Sequence, residues 1–174
     1  MKLLRELQFA QSMVDCSESS PSTNQMTMAE DSSPRYELLL VDDSPIDLKL
    51  AQIAFEKVTD DVRLHAAEDG EQALAFLNRE GQFAGAPRPH LILVDLNMPN
   101  LNGLQFLGKI KNDDRFKRIP VIVFTTSDSQ RDILNAYDAH ANAYLTKPVD
   151  LDQSFKLAEC IYDFWLSFNK LPSE

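Results

Sequence analysis

Cysteines, glycines and long apolar runs are all scarce in this sequence, and each shortage excludes a class of protein. The 174-residue chain has two cysteines, Cys16 and Cys160, which lie far apart. Neither a disulfide framework nor a cysteine-based metal site is therefore predicted. No stretch approaches the roughly 18 consecutive apolar residues that a membrane span requires. The first ten residues lack the apolar core of a signal peptide, so we expect a cytoplasmic chain with reduced thiols.

Basic residues are outnumbered by acidic ones. The chain has 17 lysines and arginines against 27 aspartates and glutamates, which gives a formal net charge of -10. Nucleic acids and anionic lipid surfaces are bound through basic faces, so neither is an expected partner. The five glycines form no phosphate-binding loop followed by a lysine, which disfavours a nucleotide-binding protein.

The composition changes along the chain. Overall, 44% of the residues are hydrophobic and 25% are charged, as is usual for a folded protein. Residues 11–34, however, are rich in serine, threonine, proline and acidic residues, and large apolar residues are rare. Such a segment buries too little apolar surface to offset the entropy of ordering it. We predict a mostly disordered extension over residues 1–34 and one folded domain over residues 35–174.

Short apolar runs alternate with segments of helical periodicity after residue 35. The runs predict five strands, at residues 36–41, 62–66, 91–94, 119–124 and 143–145. A helix is predicted after each strand, and the last one spans residues 150–168. Several runs lack polar alternation, as strands covered on both faces do. The sequence therefore predicts a doubly wound α/β fold, in which a five-stranded parallel sheet is flanked by five helices.

Polar residues directly follow four of the predicted strands. Asp42 and Asp43 follow the first strand and Asp95 the third, while Thr125 and Lys147 follow the fourth and fifth. The carboxyl ends of parallel strands meet at one edge of a sheet. We therefore expect three carboxylates, a hydroxyl and an ammonium to lie close together there.

This set of groups fits the transfer of a phosphoryl group to a carboxylate. Clustered carboxylates repel one another unless a cation lies among them, and oxygen ligands of this kind suit Mg²⁺. A carboxylate forms an aspartyl-phosphate as a nucleophile, and a metal and a lysine supply charge stabilisation. Each residue alone has a simpler explanation, such as a helix cap or a turn. Their convergence at one edge favours a site.

At these residues the sequence resembles the receiver domain of two-component response regulators. The resemblance covers about residues 36–168 and implies the flavodoxin-like receiver fold. It rests on four motifs, which are LLLVDDS at 38–44, LILVDLNMPNLNG at 91–103, VFTT at 123–126 and YLTKP at 144–148.

We call the sheet edge at which Asp42, Asp43, Asp95, Thr125 and Lys147 are expected to meet the acidic edge. The resemblance implies a role for each of its residues. Asp95 matches the phosphoacceptor, and Lys147 matches the lysine that pairs with the phosphoryl oxygen. Asp42 and Asp43 match the acidic pair that helps hold Mg²⁺. Asn97 matches the residue whose backbone carbonyl completes the metal site.

A second group of residues matches the family's switch. Thr125 matches the hydroxyl that moves onto the phosphoryl group, and Tyr144 matches the aromatic residue that follows it. Pro148 matches a proline that follows a cis peptide bond in this family. One departure is His140, where the family commonly has glycine. Histidine tolerates a positive φ less easily than glycine, and we expect only a local variation.

Further similarity indicates the partner. Residues 81–99, residues 141–148 and the FWLS ending at 164–167 look like single-domain regulators that are partnered with phytochrome kinases. The resemblance thus implies a light-sensing histidine kinase as the phosphodonor.

The output is expected to be a protein contact, because no further domain is expected after the final helix. That helix carries two apolar stripes, which are Leu151, Phe155, Ala158, Tyr162 and Trp165, and Leu157, Ile161, Phe164 and Phe168. One stripe suffices to pack on the sheet, so the second predicts an interface. We expect a homodimer through this side.

Three other functions stay open. A relay intermediate or phosphate sink would use the same chemistry without a contact partner of its own. A phosphorylation-independent adaptor would not need Asp95, Thr125 and Lys147. A Mg²⁺-dependent phosphatase would turn over small phosphate esters, whereas a receiver only promotes its own phosphorylation and dephosphorylation.

Overall fold

The computed structural model describes residues 34–172. The strands are β1 (Tyr36–Val41), β2 (Val62–Ala67), β3 (Leu91–Val94), β4 (Val121–Thr125) and β5 (Ala143–Thr146). The helices are α1 (Pro45–Val58), α2 (Gly70–Asn78), α3 (Gly103–Lys111), α4 (Gln130–Asp138) and α5 (Leu151–Ile161). A short 3₁₀ turn (Gly81–Phe83) follows α2, and a π-helical segment (Tyr162–Phe168) continues α5. The extension predicted over residues 1–34 lies outside the described residues, apart from Pro34, and stays a prediction.

The five strands form one parallel sheet in the order β2-β1-β3-β4-β5. The order reverses between β1 and β3, so the carboxyl ends of these two strands flank the switch point where such sheets bind ligands. The predicted doubly wound fold is therefore confirmed.

The sheet separates two apolar cores. Leu39 and Val41 point to the core beneath α2, α3 and α4, while Leu38 and Leu40 point to the core beneath α1 and α5. All four side chains are fully buried. Burial on both faces explains why β1 shows no polar alternation in the sequence.

A side-chain cap begins each helix. The capping residues are Ser44, Asp69, Asn102, Ser129 and Asp150, and each accepts a hydrogen bond from a backbone N–H in the first turn. Serine, asparagine and aspartate are the residue types preferred at this position. The caps fix where the chain turns from the carboxyl end of each strand into the next helix.

The last helix differs from its prediction. It is α-helical only to Ile161 and then continues in the wider π form. Leu166 follows Ile161 by five residues, and both side chains are buried in the same core. Leu166 belongs to neither predicted stripe, because a π turn takes more residues than the α-helical spacing on which the stripes were drawn. Phe164 and Phe168 are 60% and 77% exposed.

Two backbone expectations have opposite outcomes. His140 has a φ of 67°, so it occupies the left-handed region as its match to a family glycine implies. The expected cis bond before Pro148 is wrong, since no peptide bond within residues 34–172 is cis. The trans isomer of a bond before proline is lower in free energy by about 0.5–1 kcal/mol.

Within the described part of the chain, no helix combines the length and the apolar character that crossing a membrane requires.

Candidate functional site

The predicted site residues converge at the carboxyl edge of the sheet. Among residues 34–172, the buried polar or charged residues are Asp42, Asp95 and Thr125, and all three lie there. The backbone N–H of Asp95 donates to the Val41 carbonyl at 2.9 Å, and that of Lys147 donates to the Thr125 carbonyl at 2.8 Å. Hydrogen bonds of the parallel sheet thus place these residues side by side.

Lys147 lies at the centre of the site. Its Nζ is 2.6 Å from Asp42 Oδ2, 2.7 Å from Asp47 Oδ2 and 2.8 Å from Asp95 Oδ2. Its side chain is only 7% exposed. A buried ammonium is therefore surrounded by three carboxylates.

The pKa values of Asp95 and Asp42 are shifted in opposite directions. Burial alone would raise the pKa of Asp95, but hydrogen bonds from Lys147, Thr125 and the Asn97 N–H outweigh it, and the pKa lies below its usual value. Burial raises the pKa of Asp42, and Lys147 offsets this only in part. Asp95 is thus held as the ionised carboxylate that nucleophilic attack needs.

The pKa of Lys147 itself is raised. Burial opposes the charged form, but hydrogen bonds to Asp42, Asp47 and Asp95 favour it more strongly. The ammonium therefore stays protonated through the physiological range and supplies a fixed positive charge.

Three carboxylates of the site fit a divalent cation. Oxygens of Asp42, Asp43 and Asp95 all lie within 4.8 Å of one another. Asp42 Oδ2 is buried and lies 2.6 Å from Lys147 Nζ. Grouped carboxylate oxygens of this kind are the ligands that Mg²⁺ prefers. Asn97 lies in the same loop and donates its N–H to Asp95 Oδ1 at 3.2 Å, and the predicted role of its carbonyl stays a prediction.

Glycine at position 103 allows α3 to begin against this site. A Cβ on Gly103 would lie 2.0 Å from the carbonyl oxygen of Asp95, which is far closer than any real contact. The Gly103 N–H donates to the Leu96 carbonyl at 3.1 Å. The loop between Asp95 and α3 thus closes tightly on the backbone of Asp95 and Leu96.

The two predicted switch residues are linked through the loop after β4. Thr125 Oγ1 accepts a hydrogen bond from the Ser127 N–H at 3.4 Å, and the Tyr144 hydroxyl donates to the Ser127 carbonyl at 2.9 Å. Tyr144 is partly buried, whereas Thr125 is fully buried beside Asp95. Thr125 and Tyr144 are therefore connected through hydrogen bonds to the backbone of one residue, Ser127.

Sequence reasoning missed two residues of this arrangement, Asp47 and Ser127. Asp47 is the third residue of α1, and a signal for it exists in the spacing. A residue in the first turn of a helix that leaves the acidic edge lies near that edge. Ser127 acts through its backbone, for which the side-chain pattern gives no signal.

The family model for the response regulator receiver domain matches residues 38–159. The chain belongs to the response regulator receiver family. The response regulator Rcp1 of Synechocystis sp. is 42% identical over 146 residues, which are 84% of this chain and 99% of that protein. Members of this family are phosphorylation-activated switches of two-component systems, so the predicted function class and the histidine kinase partner are confirmed.

Solved structures of the family agree with the fold. The phosphorylated cyanobacterial phytochrome response regulator RcpA superimposes with a TM-score of 0.75, at 42% identity, over 80% of this chain and 99% of that chain. The Mn²⁺-bound form of Rcp1 gives a TM-score of 0.73, also at 42% identity, over 79% of this chain and 99% of that one. Receiver domains bind a divalent metal, and the carboxylate cluster here fits that property.

Proposed function

We propose that this receiver domain accepts a phosphoryl group on Asp95 from the phosphohistidine of a sensor kinase, with Mg²⁺ as the cation. The observation that carries the proposal is the environment of Asp95, which is buried, ionised and 2.8 Å from the Lys147 ammonium. An ionised carboxylate with a fixed positive charge beside it meets the two requirements of phosphoryl transfer, a positioned nucleophile and charge stabilisation.

The transfer breaks the bond between phosphorus and the histidine nitrogen and forms a bond between phosphorus and an Asp95 carboxylate oxygen. The histidine leaves as neutral imidazole after it gains a proton. Lys147 stabilises the negative charge of the phosphoryl oxygens. Mg²⁺ would be held by Asp42, Asp43, Asp95 and the Asn97 carbonyl, and it would neutralise further charge on those oxygens. The same residues would promote the later hydrolysis of the acyl-phosphate. We infer that the protein promotes only its own phosphorylation and dephosphorylation.

The signal is proposed to leave the site through Thr125 and Tyr144. A phosphoryl group on Asp95 offers new acceptor oxygens to the buried Thr125 hydroxyl beside it. Movement of this hydroxyl would disturb the Ser127 backbone, which also holds the Tyr144 hydroxyl at 2.9 Å. Phosphorylation would then shift the population between two arrangements of the loop after β4.

An exposed apolar stripe on α1 supports docking of a helical kinase surface. Ile46, Leu50 and Ile53 follow one another at helical spacing and are 72%, 38% and 37% exposed. The stripe begins three residues after Asp43, on the helix that leaves the acidic edge. Apolar stripes of this kind pack against amphipathic helices of a partner.

The same comparisons suggest the kind of kinase and the assembly. Relatives named as phytochrome response regulators support a phytochrome histidine kinase as the phosphodonor. Phe164 and Phe168 support a homodimer through the side that carries α5, because both are exposed and they lie four residues apart in the π-helical segment. The formal net charge of -10 supports protein partners rather than nucleic acid or membrane. Phosphotransfer from a sensor histidine kinase supports a cytoplasmic location for the protein.

The test is direct labelling with a small phosphodonor. The full chain is incubated with acetyl phosphate and Mg²⁺, and its intact mass is measured beside that of Asp95→Asn. One added phosphoryl group is expected in the unmodified protein, and none in the variant or after Mg²⁺ is removed. Labelling that persists in Asp95→Asn would overturn the assignment of Asp95.

Two further readouts separate the alternatives. Onward transfer to a histidine-containing phosphotransfer protein would indicate a relay intermediate or a phosphate sink. Absence of labelling by acetyl phosphate and by any histidine kinase would favour a phosphorylation-independent adaptor.

A further inference from the structure

Lys147 has a third carboxylate partner that the proposed chemistry does not use. Asp47 Oδ2 lies 2.7 Å from Lys147 Nζ, a distance that matches those of Asp42 and Asp95. Its contact with Lys147 joins residues 100 positions apart in the chain. We propose that Asp47 is a positioning residue, which holds the Lys147 ammonium beside Asp95 for phosphoryl transfer. This inference rests on the function proposed above.

Asp47 is itself held in place by the start of α1. Its backbone N–H donates to Ser44 Oγ at 3.3 Å, and the Ser44 N–H donates to Asp42 Oδ1 at 3.0 Å. Pro45 follows the cap at the first helical position and restricts φ there. The backbone of Asp47 is therefore tied to the acidic edge itself, and its carboxylate is presented to Lys147 from a rigid helical turn.

Asp47 differs from Asp42 and Asp95, the other two partners of Lys147, because it takes no part in the proposed metal site or in the phosphorylation. Asp42 and Asp95 belong to the carboxylate group that fits a cation, whereas Asp47 does not. Phosphorylation also removes the full negative charge of the Asp95 carboxylate. Both of these partners change with the state of the site, whereas Asp47 lies outside the cation cluster and is not the residue proposed to be phosphorylated.

Packing alone does not fix the Lys147 side chain. A cavity between α1 and α5 lies beside it and is lined by Asp47, Leu50, Lys147, Pro148 and Leu157, among others. Lysine has a flexible side chain, and ordering it costs rotamer entropy. With free space on one side, the position of the ammonium depends on its hydrogen bonds, and one of the three comes from Asp47.

Asp47→Asn tests the inference, because it keeps the shape of the side chain and removes its charge. At saturating Mg²⁺, we expect the rate of labelling by acetyl phosphate to fall about tenfold, since small displacements of a catalytic group have effects of this size. Mg²⁺ affinity, followed by the NMR shift of the Asn97 amide, should stay within about twofold because Asp47 lies outside the cation cluster. Asp47→Glu should recover part of the rate.

A second readout reports on Lys147 without any reaction. In protein with ¹⁵N-labelled lysine, the paired ammonium of Lys147 should give a slowly exchanging signal, assigned by its loss in Lys147→Met. In Asp47→Asn with Mg²⁺ present, this signal should broaden or disappear. Asp138→Asn is the matched control, because it removes the same charge from an exposed position at the end of α4.

The outcomes separate this inference from the proposed function. If the unmodified protein is not labelled at all, the proposed function fails, while the lysine signal still tests the contact. An unchanged lysine signal in Asp47→Asn would overturn the positioning role, and so would a labelling rate within twofold of the unmodified protein. A parallel loss of Mg²⁺ affinity would also overturn it, because Asp47 would then act as a cation ligand.

Discussion

At the scale of single residues, the site depends on an imbalance of charge. Four aspartates lie around one ammonium, and only Asp43 among them makes no contact with Lys147. The pKa of Asp95 is lowered while burial raises that of Asp42, so the two carboxylates are not equivalent. The ionised Asp95 fits the proposed phosphoacceptor, whereas an ionised Asp42 carries a free-energy cost that a bound cation would relieve.

Removal of the Asp42 charge should therefore stabilise the metal-free fold. A folded-state pKa above the usual value gives stability that is present at low pH and is lost as the pH rises through that pKa. At neutral pH the ionised Asp42 destabilises the fold, so we expect Asp42→Asn to raise the free energy of unfolding. The gain should vanish at acid pH. Urea unfolding in chelator, at pH 7 and at pH 4, measures both quantities.

Added Mg²⁺ provides the complementary measurement. It should stabilise the unmodified protein and leave Asp42→Asn unaffected. Asp43→Asn is the control. Because Asp43 is exposed, this variant should lose the stabilisation by Mg²⁺ but gain little stability in the absence of the metal. A metal-free Asp42→Asn variant that is less stable than the unmodified protein at pH 7 would contradict the charge imbalance.

At the scale of the elements, α1 has two separate tasks. Its first turn holds Asp47 against Lys147, and its inner face buries Ala54 and Phe55 in the core shared with α5. Its outer face leaves Ile46 and Leu50 exposed beside the acidic edge. A helix that carries both a site residue and an exposed apolar stripe is placed to sense a docked partner.

The stripe predicts that Ile46 contributes to phosphotransfer from a kinase but not from a small donor. Ile46→Glu places a charge where an apolar contact is expected, and we predict at least about a tenfold lower rate of transfer from a kinase that labels the unmodified protein. Labelling by acetyl phosphate should be unchanged. Leu134→Glu on α4 is the control, because Leu134 is also exposed and apolar but lies on a different helix. Equal losses with both donors would place the defect in the site.

At the scale of the whole molecule, the exposed apolar surface at the end of α5 is the feature on which the proposed homodimer rests. The π-helical segment buries Leu166 and leaves Phe164 and Phe168 largely exposed, with Phe164 in edge contact with Trp165. Exposed aromatic side chains that lie together are typical of the centre of an interface. The change from α-helical to π-helical geometry after Ile161 thus determines which aromatic side chains are exposed.

Phe168→Ser should weaken self-association. Burial of one phenylalanine contributes about 1.5–3 kcal/mol, so we expect the dimer dissociation constant to rise by about tenfold or more. Sedimentation velocity over a range of concentrations, with and without acetyl phosphate, measures the change. Ile46→Ser on α1 should leave association intact. An unmodified protein that sediments as a monomer at all concentrations, phosphorylated or not, would rule out the homodimer.

Much of the fold and of the site follows from local patterns in the sequence. Apolar runs predicted the five strands within a few residues, because burial on both faces of a sheet constrains composition directly, and helical spacing predicted a helix after each strand. The convergence of Asp42, Asp95, Thr125 and Lys147 also followed, since parallel strands bring their carboxyl ends to one edge. The strands, the helices and the meeting of these site residues can be predicted because they depend only on local sequence patterns and on the right-handed connections between parallel strands.

Other features were decided only by tertiary structure. The contact between Asp47 and Lys147 joins two distant elements, and no local pattern specifies which carboxylate reaches an ammonium across the sheet edge. The π form, which buries Leu166 in the same core as Ile161, was also predicted otherwise, because the stripes were drawn on α-helical spacing and packing in the core departs from it. The trans bond before Pro148 differs from its prediction for a local reason, since trans is the isomer of lower free energy. The sequence by itself determined which groups meet, and the tertiary structure decided how they contact one another.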